Sequence, residues 1–364
     1  MAKLTSPKIM VTFTELGITA ITRGDKGTVA LILREDGVKT PFSITQANQI
    51  PEGLGKENID YIKRAFLGYV TPPKKVIVFP MASAAPAGDE SARTLQNALD
   101  YMQGQVADYI CGPLDCTKEE AGDIASWVKS QRLNEGPKIK AVLPELPADS
   151  YPIVNFCGTG MTDGTTVWST AAYCSRIAGA LAGTPMKISA TYCPLSELTG
   201  CDHLSREDAD KAVGDGKLVL RWDGRQVKLN RAVNSLITTS QGMLDSFKKI
   251  KLVEIMDLIR TDISQTCEDD YVGKFANSYD NKMLLVSAIR GYLMGLARDS
   301  LIKTGFTVEL DTEAIEEYLV SRGVNTEGMS PQQLKEADTG SHVFILVRCK
   351  ILDAIEDIII RVEI

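Results

Sequence analysis

The sequence has few of the side chains on which hydrolytic and metal sites usually depend. Histidine occurs only twice in 364 residues, at His203 and His342. Nucleophilic catalysis usually needs a base within hydrogen-bond reach, and the sequence has no G-x-S-x-G turn of the serine hydrolases. We expect both histidines in loops or at the surface, and we expect a protein that is not an enzyme.

An excess of basic charge is also missing. The 40 lysines and arginines stand against 47 acidic residues, which gives a net charge of −7. This balance argues against a protein that binds nucleic acid or an anionic membrane. No stretch approaches the roughly 18 apolar residues of a membrane span, and residues 1–10 lack the apolar core of a signal peptide. We expect a soluble protein that is made inside the cell.

The eight cysteines are scattered, and none forms a C-x-x-C pair. Reduced thiols that pack as small apolar side chains are the expected state in a chain without an export signal. A metal site would have to use Cys193, Cys201 and His203, which lack a fourth ligand at a zinc-like spacing. We therefore expect no metal and no cofactor.

Hydrophobic residues make up 44% of the chain, enough for the cores of two or three domains. The segment from residue 8 to about 80 has β patterns, with alternation at 9–14 and an apolar run at 29–33, and predicts a small sheet domain. From residue 75 onwards strands and helices alternate, which favours a layered α/β domain. The predicted strands are 76–79, 107–111, 139–143 and 153–156, and the predicted helices are 95–102, 117–127 and 167–181.

Beyond residue 230 the pattern is mainly helical, and the chain then closes with β patterns. Helical spacing of apolar residues predicts helices at 252–263, 285–296 and 312–320. Alternating residues predict strands at 343–347 and at 357–364. A terminal strand cannot satisfy its own backbone, so the apolar ends at 9–14 and 357–364 must pair either with their own domain or with another chain.

A glycine-rich turn leaves a second interpretation open. Gly158, Gly160 and Gly164 follow the predicted strand 153–156 and precede a helix, which is the context of a nucleotide-binding turn. The third glycine is one position late, and residues 187–189 provide no acidic residue for a ribose. The alternatives are a nucleotide-binding α/β enzyme that uses Gly158 and Gly160, and a simple turn that needs small residues.

Five segments stand out when their order and spacing are considered together: Arg176–Pro185, Leu218–Leu220, Asn230–Leu236, Glu268–Lys274 and Val343–Ile364. The first three resemble the tail sheath proteins of contractile-tailed phages, and the last two are similar to the sheaths of PBSX-type prophages and phage-tail-like bacteriocins. The likeness covers most of the chain, from about residue 75 to the end.

The resemblance implies a multi-domain α+β fold with arms that are donated as strands to neighbouring subunits. The implied parts are an N-terminal arm (1–20), an outer β-sandwich (21–80), a subtilisin-like α/β domain without protease activity (81–235), a C-terminal α+β domain (236–350) and a C-terminal arm (351–364). The implied strand-exchange residues are Ile9, Val11 and Phe13 in one arm, Ile358, Ile360, Val362 and Ile364 in the other, and Phe344, Leu346 and Val347 in the receiving sheet.

The resemblance also implies a mechanical function. Subunits would form hexameric discs, stack into a helical sheath around an inner tail tube protein, and contract to drive that tube through a target cell envelope. Baseplate and terminator proteins would be further partners. Assembly would take place in the bacterial host cytoplasm, before the virion or a tail-like particle is released. The nucleotide-binding enzyme and a static capsid-like scaffold are the competing hypotheses.

Overall fold

The computed structural model of this protein describes residues 20–24, 26–83, 93–134 and 138–363. Its contacts separate two compact units. The first, here called the α/β unit, joins residues 23–261 to the C-terminal segment that begins at residue 351. The second, here called the helical unit, is built on residues 262–350. The predicted arm residues Ile9, Val11, Phe13 and Ile364 lie outside the described residues.

The α/β unit contains most of the strands. They are β1 (Thr28–Arg34), β2 (Phe42–Ile44), β3 (Lys75–Met81), β4 (Tyr109–Cys111), β5 (Lys140–Pro144), β6 (Ile153–Phe156), β7 (Met161–Thr162), β8 (Val167–Trp168), β9 (Lys217–Leu218), β10 (Leu220–Trp222) and β11 (Val227–Leu229). Its helices are α1 (Lys56–Phe66), α2 (Leu95–Gln103), α3 (Lys118–Leu133), α4 (Thr170–Ala182) and α5 (Arg206–Gly214).

Helix α6 (Ile250–Thr266) runs from the α/β unit into the helical unit, and a π-helical turn (Cys267–Tyr271) follows it. The helical unit then contains α7 (Tyr279–Arg298), β12 (Thr307–Leu310), α8 (Thr312–Ser321), α9 (Pro331–Glu336) and β13 (Ile345–Arg348). Strands β12 and β13 pair antiparallel, from Thr307 opposite Arg348 to Leu310 opposite Ile345.

A seven-stranded sheet organises the α/β unit, with the order β2-β3-β1-β4-β5-β6-β9. All neighbours in it are parallel except β2, which runs antiparallel to β3. Alternate residues of β1 face two different cores: Leu31 packs in the core that includes α1 and α4, and Ile32 in the core that includes α2 and α3. Burial on both faces explains why β1 and β3 read as uninterrupted apolar runs.

The expectation of a separate β-sandwich at residues 21–80 is corrected by this topology. β1 pairs with β3 along its whole length and also with β4, so the strands of this segment belong to the same sheet as those of the next. A parallel pair needs a crossover connection, and α1 lies in the segment that joins the two strands. Its buried face, at Asn58, Tyr61, Ile62 and Ala65, has helical spacing.

Most other predicted elements are confirmed, with two differences. The capping box is present, since the Thr117 hydroxyl accepts a hydrogen bond from the Glu120 amide (3.2 Å) and the Thr117 amide donates to the Glu120 carboxylate (3.0 Å). The helix expected from Val167 begins at Thr170, because β8 pairs with β7 as a hairpin. Residues 352–363, which include the predicted strand from 357, form neither helix nor strand in the single chain.

Candidate functional site: the C-terminal segment and its clamp

The glycine-rich turn does not have the geometry of a nucleotide site. It leads into the β7–β8 hairpin rather than directly into a helix. At Gly160, where φ is +62°, a Cβ would lie 2.1 Å from Oδ1 of Asp202. The Ser169 hydroxyl caps α4 by accepting from the Ala172 amide (3.2 Å). A carboxylate beside the turn and a capped helix both disfavour a bound phosphate, so the geometry gives the nucleotide-binding alternative no support.

The cysteines are free thiols, as the sequence predicts. Burial raises the pKa of the Cys193 thiol to about 12, so this side chain is protonated at neutral pH. Within the described ranges no group of three or more His, Cys, Asp or Glu side chains is arranged to hold a metal ion. Of the helices in the same ranges, none is long and apolar enough to cross a membrane.

The C-terminal segment is fixed to the α/β unit by three carboxylates, which together with their partners we call the C-terminal clamp. The carboxylates belong to Asp353, Glu356 and Asp357, and their cationic partners are Lys249 and Arg231. Nζ of Lys249 lies 2.5 Å from Oδ2 of Asp353, and Nη2 of Arg231 lies 2.6 Å from Oδ1 of Asp357. The clamp therefore joins the end of the chain to residues more than a hundred positions earlier.

Glu356 is the buried centre of the clamp, with 5% of its side chain exposed. Its Oε1 accepts hydrogen bonds from the Ser189 hydroxyl (2.9 Å) and the Thr191 hydroxyl (2.6 Å). Its Oε2 lies 3.1 Å from Nζ of Lys249 and 3.6 Å from Nε of Arg231. Both oxygens of a buried carboxylate are thus satisfied, which is the condition for keeping a charge out of water.

Three groups of the clamp, on Asp357, Arg231 and Lys249, have a pKa that is shifted in favour of the charged form. The hydrogen bond from Arg231 lowers the pKa of Asp357, and the same contact raises the pKa of Arg231. Burial lowers the pKa of Lys249, but hydrogen bonds to Asp353 and Glu356 outweigh it and leave this pKa raised. The pair of Arg231 and Asp357 therefore stays charged throughout the neutral range.

Beyond the clamp the chain presents large apolar side chains to solvent. Their exposed fractions are 73% for Ile358, 97% for Ile359, 78% for Ile360 and 75% for Val362. The remaining charged residues, Arg361 and Glu363, pair with each other at 2.9 Å. Exposed apolar runs of this kind are typical of interaction surfaces.

The predicted receiving residues lie in the helical unit, whereas the described donor residues lie in the α/β unit. Leu346 and Val347 are in β13, and Phe344 comes directly before it, with its carbonyl accepting from the Asp311 amide (3.0 Å). Since β12 and β13 form a two-stranded sheet, each has one edge without a strand partner among the described residues. Such an edge can accept an extended segment.

The clamp itself was not found from the sequence. Its members come from segments around 189–191, at 231, at 249 and at 353–357, and the hydrogen bond between Ser189 and Glu356 spans 167 positions. No local pattern marks such a group. The apolar alternation at 358–362 is visible in the sequence, whereas its exposure in the subunit is shown by the structure.

Comparison with known proteins agrees with the fold. The family model described as the phage tail sheath protein central domain matches residues 88–235, and the model of the phage tail sheath C-terminal domain matches residues 245–364. A tail sheath protein of Clostridium phage phiCD119 is 35% identical over 360 residues, covering 98% of each chain.

Solved structures show the same mixed α+β fold. The sheath tail protein of Desulfitobacterium hafniense superposes with a TM-score of 0.69 at 17% identity, over 84% of this chain and 94% of that one. The helical sheath of the anti-feeding prophage, in its contracted state, gives a TM-score of 0.70 at 12% identity, over 99% of each chain. The chain therefore belongs to the phage tail sheath family and is a structural subunit of a tail sheath.

Proposed function

We propose that copies of this chain polymerise around an inner tube into a contractile sheath, and that the C-terminal segment of each copy is donated as a strand to a neighbour. The observation that carries this proposal is the exposure of Ile358, Ile360 and Val362 directly beyond the clamp. These residues alternate, so in an extended conformation they would share one face. The free edge of β12 or β13 is the surface that we propose they occupy.

The energetics favour many such links over a single one. Burying an isoleucine or valine contributes roughly 1.5–3 kcal/mol, whereas fixing the backbone costs about 1–2 kcal/mol per residue. One donated strand is therefore close to break-even. In a repeating assembly every subunit gives and receives strands, and the high effective concentration makes the links cooperative. Links of this kind would hold subunits together while their packing changes during contraction.

The finer assignments are part of the same proposal. The N-terminal residues Ile9, Val11 and Phe13 would form a second donated arm, and the helical unit would be the receiving domain. The parallel sheet with helices on both faces is compatible with a subtilisin-like domain that has no protease activity. Hexameric discs, an inner tube protein, and baseplate and terminator proteins would complete the particle, which would assemble in the host cytoplasm.

Electron microscopy of the purified protein tests the proposal. The full chain should form long helical tubes, and a variant that lacks residues 358–364 should remain a folded monomer, because residues 358–363 are exposed and the clamp is retained. Circular dichroism and sedimentation would check both points. Tubes of normal length from the truncated chain would contradict strand donation at this end. Small oligomers whose melting temperature rises with added nucleotide would favour the enzyme.

A further inference from the structure

We propose that Glu356 is a positioning residue for assembly: its buried carboxylate fixes the point at which the C-terminal arm leaves the α/β unit. The inference rests on the proposed function, because it assumes that residues 358–363 join a neighbouring copy. Glu356 precedes the residues that would enter the neighbouring copy, and its own side chain stays bound within its own subunit.

Glu356 connects three separate segments of the α/β unit at one place. Its Oε1 is held by the hydroxyls of Ser189 and Thr191, and its Oε2 by the cations of Lys249 and Arg231. The Thr191 hydroxyl also accepts from the Ala232 amide (3.0 Å), which fixes this donor in turn. Glu356 has little freedom to move, because it is bound from several directions and one of its hydrogen-bond donors is itself fixed by a further hydrogen bond.

The neighbouring carboxylates are less suited to this task. The side chains of Asp353 and Asp357 are 38% and 77% exposed, compared with 5% for Glu356. Exposed ion pairs are screened by water and salt and contribute little to fixing a chain. Glu356 is also the clamp residue that hydrogen-bonds to neutral hydroxyl donors as well as to cations, so salt weakens only part of its binding.

Without this anchor the segment 351–357 would act as a flexible linker. The end of such a linker spreads over roughly 15 Å. A strand that must enter a neighbouring sheet in one register would then start from many positions, and its effective concentration at that sheet would fall. The clamp therefore supplies preorganisation, whereas the apolar residues beyond it supply the contact.

Glu356→Gln is the variant that tests this role. The amide oxygen can still accept from Ser189 or Thr191, but the charge that holds Lys249 and Arg231 is lost. Glu119→Gln is the matched control, because Glu119 is exposed on α3 of the same unit and undergoes the same chemical change. Two measurements are needed on the full-length chain: the concentration at which half of it sediments as tubes, and amide hydrogen exchange at residues 351–357 in the unassembled subunit.

We expect Glu356→Gln to raise the half-assembly concentration by about tenfold or more and to speed exchange at residues 351–357, with the melting temperature of the subunit unchanged. Glu119→Gln should match the unsubstituted chain. Unchanged assembly would overturn the inference, and so would lost assembly with normal exchange at 351–357, since the carboxylate would then act at an interface. If Glu356→Gln lowers the melting temperature, Lys249→Met decides the question by the same measurements, because it leaves the hydroxyl donors in place.

The chain that lacks residues 358–364 separates this inference from the proposed function. If that chain fails to assemble while Glu356→Gln assembles normally, strand donation stands and the positioning role is wrong. If both variants assemble normally, strand donation at this end is wrong and the positioning role falls with it.

Discussion

Gly179 in α4 lies against the backbone of Ala65 in α1, so closely that a Cβ at position 179 would come within 1.9 Å of the Ala65 carbonyl oxygen. One turn later Gly183 has the same relationship to Thr71, whose carbonyl oxygen a Cβ would approach to 2.0 Å. Arg176, buried in the same helix, donates to the Gly68 carbonyl at 2.7 Å. Small residues are therefore required where α4 meets α1 and the loop after it.

This close approach predicts the effect of adding one methyl group. Gly179→Ala should lower the free energy of unfolding by about 1–3 kcal/mol, because the backbones must separate to admit the Cβ. Gly122→Ala in α3 is the matched control: its Cβ would meet no atom within 4 Å, so it should stabilise the chain by roughly 0.5–1 kcal/mol. Urea unfolding measures both. Equal effects at the two sites would show that the contact does not limit α4.

A buried ion pair makes stability depend on acidic pH. Arg132 donates to Asp257 at 2.8 and 2.7 Å, and Nζ of Lys140 lies 3.2 Å from the same carboxylate. Burial raises the pKa of Asp257, but Lys140 and Arg132 outweigh it and leave the pKa below its ordinary value. Asp257 therefore stabilises the fold fully above the unfolded-state pKa, about 3.9, and loses this contribution as pH falls further.

Asp257→Asn should lower the free energy of unfolding at pH 7 by about 3 kcal/mol, because two buried cations lose their charged partner. It should also flatten the decline in stability below about pH 4. Asp123→Asn, at an exposed position on α3, should change neither. Denaturation at a series of pH values provides the measurement, and an unaltered pH dependence in Asp257→Asn would count against the ion pair.

Substitutions at two adjacent isoleucines distinguish strand donation from nonspecific hydrophobic association. Ile359 and Ile360 are both exposed in the subunit, so Ile359→Asp and Ile360→Asp should leave its unfolding unchanged. In a donated strand they would face opposite sides. We expect Ile360→Asp to prevent tube formation and Ile359→Asp to reduce it less, as judged by sedimentation. Equal losses would indicate contact through exposed apolar area without a defined strand face.

Thiol reactivity should follow burial. Burial raises the pKa of the thiols of Cys111, Cys174 and Cys349, but Cys349 is exposed whereas Cys111 and Cys174 are buried. At pH 8 iodoacetamide should modify Cys349 in the folded subunit and reach Cys111 and Cys174 only after denaturation, because a buried thiol neither meets the reagent nor ionises to the reactive thiolate. Mass spectrometry of labelled peptides gives the answer. Early modification of Cys111 would mean that the core around β4 opens readily.

The elements that could be predicted from the sequence are those whose burial leaves a local pattern. The runs 29–33 and 76–79 are apolar without interruption because β1 and β3 are covered on both faces. Helix α1 was not predicted, since its buried face includes Asn58, and the strands on either side suggested a β domain. Asn58 is buried because its amide donates to the Arg34 carbonyl (2.8 Å), which no spacing in the sequence reveals.

The candidate site likewise has one part that could be predicted from the sequence and one part that could not. The apolar residues 358–362 form a contiguous alternating pattern, which predicts a strand but leaves open whether it pairs within the subunit or with another chain. The clamp could not be predicted, because its partners meet only after the chain has folded. A sequence pattern predicts which side chains are buried, but it does not predict which distant cation a carboxylate will pair with.

The long sequence separation within the clamp also orders events during folding. Contacts between distant residues form late, because the loops between them must close first. Lys249 and Asp353 are 104 positions apart, and residues 262–350 of the helical unit lie between them. The other clamp contacts span even longer separations, so we expect the clamp as a whole to form late. The apolar residues beyond the clamp would then be held in position only in a subunit that has finished folding. Incompletely folded subunits would therefore be added to growing tubes less efficiently.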